Sequence, residues 1–282
     1  MISRPARFAG LVAVPALTAG GCTSPVSAPA ASAPAAASQP SAPPASPSAA
    51  ASDSRTPLQI LQAGVPTESS PIHRFSIKSA GRPETGVVDA RDKIAEIDGV
   101  GHYTNPTYTE TTRILLTRNK SWLKVRTTPA GMTGLPTKWM ALDPQKLKLE
   151  NGTPFLYVAE SDPGYTEQVF DNSSDVEQTS PGHFEGVTDL SDTGAGKILS
   201  AGQLKALGDK ADHLAYTAVL DGQGRVTTTT VRIPAAGKLK ASTAVITYDQ
   251  YGTAAKPKLP TAAEQVKAPS VVYDMYGYAT DH

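Results

Sequence analysis

The segment LTAGGCTSP, residues 17–25, holds the single cysteine of a 282-residue chain. Without a second thiol, Cys22 can close no intramolecular disulfide and can share no Cys-based metal or redox site. The chemistry left to it is modification of its own sulfur, and its surroundings say which. Arg4 and Arg7 form a short cationic start, and residues 8–19 are apolar or small, with Pro15 among them. A membrane-spanning helix needs about 20 apolar residues, and this run is shorter. Its charge and length pattern is that of an export signal. Ala19, Gly20 and Gly21 then lead into Cys22, the small residues that an extended backbone needs to thread a narrow protease cleft.

The other residues able to do chemistry are dispersed. His73, His102, His183, His213 and His282 form neither an HExxH motif nor a pair at helical spacing. They read as solvated or capped surface side chains. Residues 194–197, Gly-Ala-Gly-Lys, end like a phosphate loop. Ile198, however, stands where a magnesium-binding Ser or Thr belongs, and Ser191 where the first glycine belongs. Asp189 and Asp192 lack the regular oxygen spacing of an EF-hand and read as a solvated turn. Asn151 and Asn172 open Asn-x-Ser/Thr triplets that read as turns. With no nucleophile–base pair in view, no enzyme activity, metal or cofactor is expected.

The elements that must position any site begin after a spacer. Of the 28 residues 23–50, 25 are Ala, Ser or Pro, and no charge occurs between Arg7 and Asp53. Such a stretch has too little apolar surface for a core, and its prolines interrupt any helix. It is expected to be a disordered, semi-extended tether of about 3.1 Å per residue. The expected organisation is a signal over residues 1–21, a tether over 22–55, and one globular domain over 56–282. The whole chain balances 26 basic against 26 acidic residues, and 24 basic residues remain once Arg4 and Arg7 are removed with the signal. That balance excludes a nucleic-acid partner, which wants a strongly basic face. It also excludes a polybasic lipid-headgroup patch.

Within the domain, Thr56, Pro57 and Gly64 punctuate a short helix. Capping-box patterns start helices at Ser200 and Thr261, the latter ending before Pro269, and Asp143-Pro144 starts a helical turn. Residues 113–118 and 122–126 alternate at period two around the turn 119–121. Residues 213–220 and 225–233 do so around Asp221-Gly-Gln-Gly224, and a further strand covers 242–248. Strands joined by tight turns imply an antiparallel sheet with one face buried. Parity marks Leu123, Val125, Met140, Leu142, Val231 and Ile246 as inward-facing. Four consecutive threonines, residues 227–230, put hydroxyls on both faces of their strand.

Ala19-Gly20-Gly21-Cys22 resembles the bacterial lipobox, in which the cysteine is diacylglycerol-modified and becomes the first residue of the mature chain. Ala19 stands where that pattern prefers Leu, and a leader removed by the general signal peptidase is the alternative reading. The order lipobox, tether, "SWLKV" hairpin, "TKWMALDPQKL", "LAYTAVLDGQGRVTTTTVRIP", "TAVITYDQYG" and "PTAAEQVKAP" resembles the actinobacterial LppX/LprG-type lipoproteins of the LolA-like superfamily. The resemblance covers most of residues 70–269. It implies an α+β fold, a curved antiparallel half-barrel sheet wrapped around a few helices, enclosing an apolar cavity for acyl chains. On that reading the protein is a monomer at the outer face of the cell membrane, anchored by acylated Cys22 and binding a lipid. The six inward residues line its cavity. Trp122 and Trp139 either stand at the cavity mouth or pack the sheet against a helix, and Tyr273, Tyr276 and Tyr278 cover an edge or lie on the surface. An envelope scaffold with the same fold, a filled core and a protein partner is the other reading.

Overall fold

Thr56 opens the fold with a reciprocal cap. Its hydroxyl accepts from the Gln59 amide at 3.2 Å, while Gln59 Oε1 accepts from the Thr56 amide at 2.9 Å. Two orphan helix donors are satisfied at once, and α1 runs Pro57–Gly64 as its punctuation predicts. The computed structural model describes residues 54–79, 83–143, 146, 162–192 and 198–276. Cys22, the tether, Pro144, the Asn151 triplet, the 194–197 glycine loop, Tyr278 and His282 fall outside them.

Twelve strands follow: β1 His73–Lys78, β2 Glu84–Asp89, β3 Ile94–Thr104, β4 Thr107–Thr117, β5 Ser121–Thr128, β6 Trp139–Ala141, β7 Ser173–Ser180, β8 His183–Thr188, β9 Leu214–Leu220, β10 Val226–Ile233, β11 Ser242–Asp249 and β12 Gln265–Lys267. They form one sheet in the order β12-β6-β5-β4-β3-β2-β1-β11-β10-β9-β8-β7. Every pairing is antiparallel except the short parallel β6–β12 contact. The sheet is curved and unclosed, so the fold is α+β and mostly sheet, as the strand patterning leads one to expect. Both expected hairpins form. In the β9–β10 turn the Asp221 carboxylate accepts from the amides of Gln223 and Arg225 and from the Arg225 guanidinium, and Gly224 takes the positive φ of 76° that the turn needs.

The remaining helices are short: α2 Thr166–Asp171, α3 Ala201–Leu207 and α4 Ser270–Tyr276. Ser200 and Gln203 cap α3 as predicted. The helix expected from Thr261 to Pro269 is a correction. The Thr261–Glu264 capping box exists, but it carries only one 3-10 turn, Ala262–Glu264. The next three residues become β12, because pairing with β6 satisfies their backbone and the Gln265 side chain bonds Trp122. The true helix, α4, starts after Pro269.

Candidate functional site

Cross-strand register decides which side chains share a face, since directly opposed residues point the same way. One row runs Met140, Leu123, Ile114, Ile97, Gly86, Phe75, Tyr248 across β6, β5, β4, β3, β2, β1 and β11. The row beside it runs Val125, Thr112, Gly99, Glu84, Ile77, Ile246, Thr229, Ala218, Phe184 from β5 to β8. Val231 lies two residues from Thr229 on the same side, opposite Ala244 and Tyr216. Five of the six inward candidates therefore sit on one continuous inner face, and Leu142 follows two residues after Met140.

The inner face is covered by the protein's own short elements. Leu61 from α1 and Val65 just after it, Val169 and Phe170 from α2, and Leu207 from α3 join Phe75, Ile77, Val231 and Ile246 in the main apolar cluster. Leu123, Val125, Met140 and Leu142 belong to a second, smaller cluster closed by Ala268 and by Val272 and Tyr273 of α4. The Tyr273 hydroxyl accepts from the Asp143 amide at 2.8 Å, which seats the helix. Leu123, Met140, Val231 and Ile246 are all 0% exposed. A side chain lining a void wide enough for a methylene chain would show surface to a water-sized probe, so these four are closed over in this form.

The tryptophans lie elsewhere. Trp122 opposes Leu115 and Ala141, and Trp139 has the parity of Ala141, so both occupy the outer face, away from Leu123 and Met140. Trp122 Nε1 donates to Gln265 Oε1 at 2.8 Å, and the Lys124 ammonium sits 5.6 Å from the Trp139 ring. Neither stands at the mouth of the inner face, and what they pack is the outer side of the sheet near its β12 edge. A strand that turns Leu123 inward must turn Trp122 outward.

Polar residues at one end of the inner face form a cluster that sequence reasoning missed. Asp162 Oδ1 accepts from the Gly164 amide and from the Tyr248 hydroxyl, and Oδ2 accepts from the amides of Thr166 and Glu167. Burial pushes the Asp162 carboxyl above the usual carboxylate range, against the opposing effect of these donors. Desolvation, with Asp162 beside it, holds the Tyr248 phenol well above its ordinary value. His73 lies against Tyr248 and Tyr251, with ring centroids 6.0 and 5.3 Å away.

The expectation that the histidines are surface groups fails at His73, which is 1% exposed. Its Nδ1 donates to the Pro71 carbonyl at 3.0 Å, and its buried Nε2 has no hydrogen-bond partner among the described residues. Desolvation lowers its pKa, with the Pro71 bond and the Asp162 charge opposing. Beside this cluster, and bordered by its Tyr248 and Tyr251, Asp221, Arg225, Thr228 and Asp249 line an open cleft of about 510 Å³. Arg225 is already committed there, to Asp221 and to the Tyr251 ring 4.3 Å away. The other described histidines are exposed: His102 bonds Thr109, and His213 bonds Asp212. No group of three metal-ligating side chains occurs among the described residues.

No family model matches this chain, and no curated protein matches it. Among solved structures it is similar to a porin-like protein from Bacteroides uniformis ATCC 8492, at 11% identity and a TM-score of 0.21, over 66% of this chain and 99% of that one.

Proposed function

We propose that this chain is a non-enzymatic lipoprotein, held at the outer face of the cell membrane by an acylated Cys22, whose sheet is a LolA/LppX-like half-barrel that receives a lipid or acyl chain on its inner face. The observation that carries the proposal is the register. Leu123, Val125, Met140, Val231 and Ile246 share one face of one curved sheet, and among the described residues short helices and loops cover it. One separate part of that cover is α4, seven residues long, over the small cluster around Leu123 and Met140. A ligand chain enters by taking the place of Val272 and Tyr273, so one apolar contact replaces another. Each buried methylene contributes about 0.8 kcal/mol to its retention. The same increment, over two or three acyl chains on Cys22, holds the anchor in the bilayer.

The complete burial of Leu123 and Met140 favours a second reading, an envelope scaffold whose core is permanently filled. Native mass spectrometry of residues 22–282 with Cys22→Ala separates the two. A co-purifying lipid, or saturable binding of a fluorescent fatty acid, supports the carrier. Neither lipid nor binding leaves the scaffold.

A further inference from the structure

The cleft beside Tyr248 and Tyr251 opens on the outer side of the sheet, away from the apolar inner face. Thr228 stands directly opposite Thr247, and Asp249 follows two residues after Thr247, so these three share the outer parity. Gln250, Tyr251 and Thr253 line the same cleft of about 510 Å³. That size falls within the roughly 300–1,000 Å³ over which proteins hold small molecules.

Two tight turns wall the cleft, and each is fixed. In the β9–β10 turn, Asp221 is held by the Gln223 and Arg225 amides and by the Arg225 guanidinium. After β11, the amides of Thr253 and Ala254 both donate to the Gln250 carbonyl at 2.9 Å, and the Gly252 amide donates to the Ile72 carbonyl at 2.7 Å. Tyr251 ties one turn to the other. Its hydroxyl donates to the Val226 carbonyl at 2.9 Å, and its ring lies 4.3 Å from the Arg225 guanidinium. Gln250 holds a φ of 53°, a left-handed conformation seldom taken by residues other than glycine. The cleft is therefore preformed, and a ligand meets it at little ordering cost.

Against these rigid walls stand polar side chains that the fold does not use. Thr228, Asp249, Gln250 and Thr253 make no side-chain hydrogen bond or ion pair among the described residues. Arg74 is directly opposed to Asp249 in register, yet no ion pair joins them. The unspent set contains a carboxylate acceptor, an amide that both donates and accepts, and two hydroxyls that do the same. Each threonine sets a methyl group beside its hydroxyl, and Tyr251 adds a ring, so polar and apolar atoms alternate along the wall. Asp221 neutralises Arg225, which leaves Asp249 as the uncompensated charge and repels phosphate, sulfate and carboxylate ligands. No group of three metal-ligating side chains occurs here among the described residues. The chemistry that matches the remaining set is a neutral ring with hydroxyls on its rim and C–H groups on its faces.

We infer that the cleft is a second binding site, which takes a neutral saccharide unit, with Asp249 accepting from sugar hydroxyls and Gln250 bonding beside it. It does not rest on the lipid reading, because it uses the other side of the sheet. The test is a titration of isotope-labelled residues 22–282 carrying Cys22→Ala, followed through amide chemical shifts. The probes are glucose, galactose, mannose, N-acetylglucosamine and their disaccharides, with glucuronate and inorganic phosphate as charged controls. At least one neutral sugar is expected to shift the amides of residues 249–253 and 221–225 saturably, while neither control does. Asp249→Ala removes the carboxylate from an exposed position, and Gln250→Gly removes the amide where glycine adopts the backbone freely. Both variants are expected to keep the parent's melting temperature and to bind the sugar about tenfold more weakly, the effect of some 1.4 kcal/mol. No saturable shift with any sugar, shifts confined to other residues, an equal response to glucuronate, or variants that bind like the parent each overturn the inference. Binding of a fluorescent fatty acid is expected to be the same in both variants as in the parent, so failure of this site and failure of the carrier are read separately.

Discussion

The Tyr248 hydroxyl donates a 2.5 Å hydrogen bond to Asp162 Oδ1, joining the last turn before α2 to strand β11 across 86 residues of sequence. The same carboxylate gathers the amides of Gly164, Thr166 and Glu167, so one buried group both caps α2 and fastens it to the sheet. The ring of Tyr248 leaves no room for a side chain at position 164, which explains the glycine there. Replacing Tyr248 by Phe keeps the ring and removes one of four donors to a buried acceptor. A loss of about 1–3 kcal/mol is expected, read as a lower urea midpoint with an unchanged slope.

Two groups in this cluster give stability opposite pH dependences. Burial lowers the folded-state pKa of His73 below 6.5, so the stability linked to its neutral form is present above pH 6.5 and is lost as pH falls through the folded value. Burial raises that of Asp162 above 3.8. Stability linked to its protonated form is present below pH 3.8 and is lost as pH rises through the folded value. His73→Phe is therefore expected to flatten the loss of stability below pH 6.5, and urea unfolding at pH 5, 6 and 7 measures it. An unchanged slope in the variant would assign that loss to other groups.

The inner face was legible in the sequence because strand parity is a local property. Val125 and Val231 alternate with polar neighbours, Leu123 is followed by Lys124 and Ile246 by Thr247, and the alternation survives folding. The same parity already places Trp122 on the opposite side from Leu123, and it marks His73 as inward, in line with Phe75 and Ile77. Those two signals were present in the residues. The position of β1 between β2 and β11 was not, since non-local pairing leaves no period in a single strand. Asp162 was equally hidden. It sits in a loop without pattern, and its partner Tyr248 reads as one more strand aromatic. The helix expected after Thr261 failed for a related reason, as a valid cap cannot extend a helix whose next residues pair with a sheet edge.

Gly86 lies beneath the Phe75 ring in the first inner row, and a methyl group there would collide with that ring and with the Glu96 carbonyl on β3. One obstacle is backbone in a paired strand, so repacking cannot remove the clash. Gly86→Ala is expected to cost about 1–3 kcal/mol through overpacking, although alanine is tolerated in strands at ordinary positions. Thermal unfolding followed by circular dichroism checks this, and Ala at the open, exposed Gly222 serves as the neutral control.

The proposed acylation of Cys22 has its own test. The expected outcome for Cys22→Ala is transfer of the protein from the membrane pellet to the soluble extracytoplasmic fraction, because the run of residues 8–19 is too short to span a bilayer by itself. Intact-mass analysis of the parent is expected to show a chain starting at Cys22 with acyl groups attached. A free thiol on an uncut leader would remove the anchor from the account.

The carrier and scaffold readings part at α4. Val272 is 1% exposed over the cluster of Leu123 and Met140, and in the carrier it competes with the ligand for that surface. Val272→Ala weakens the competitor without touching the sheet. It is expected to lower stability by about 1–2 kcal/mol and at the same time to raise the affinity for a fluorescent fatty acid, since the closed form holds back a ligand that binds only the open one. Leu123→Trp, which adds bulk beneath α4, is expected to lower that affinity. In a scaffold with a permanently filled core, Val272→Ala loses stability in the same way, and no variant binds the probe. Fluorescence titration and urea unfolding on the same two samples therefore separate the readings, because only a ligand site couples a weaker lid to tighter binding.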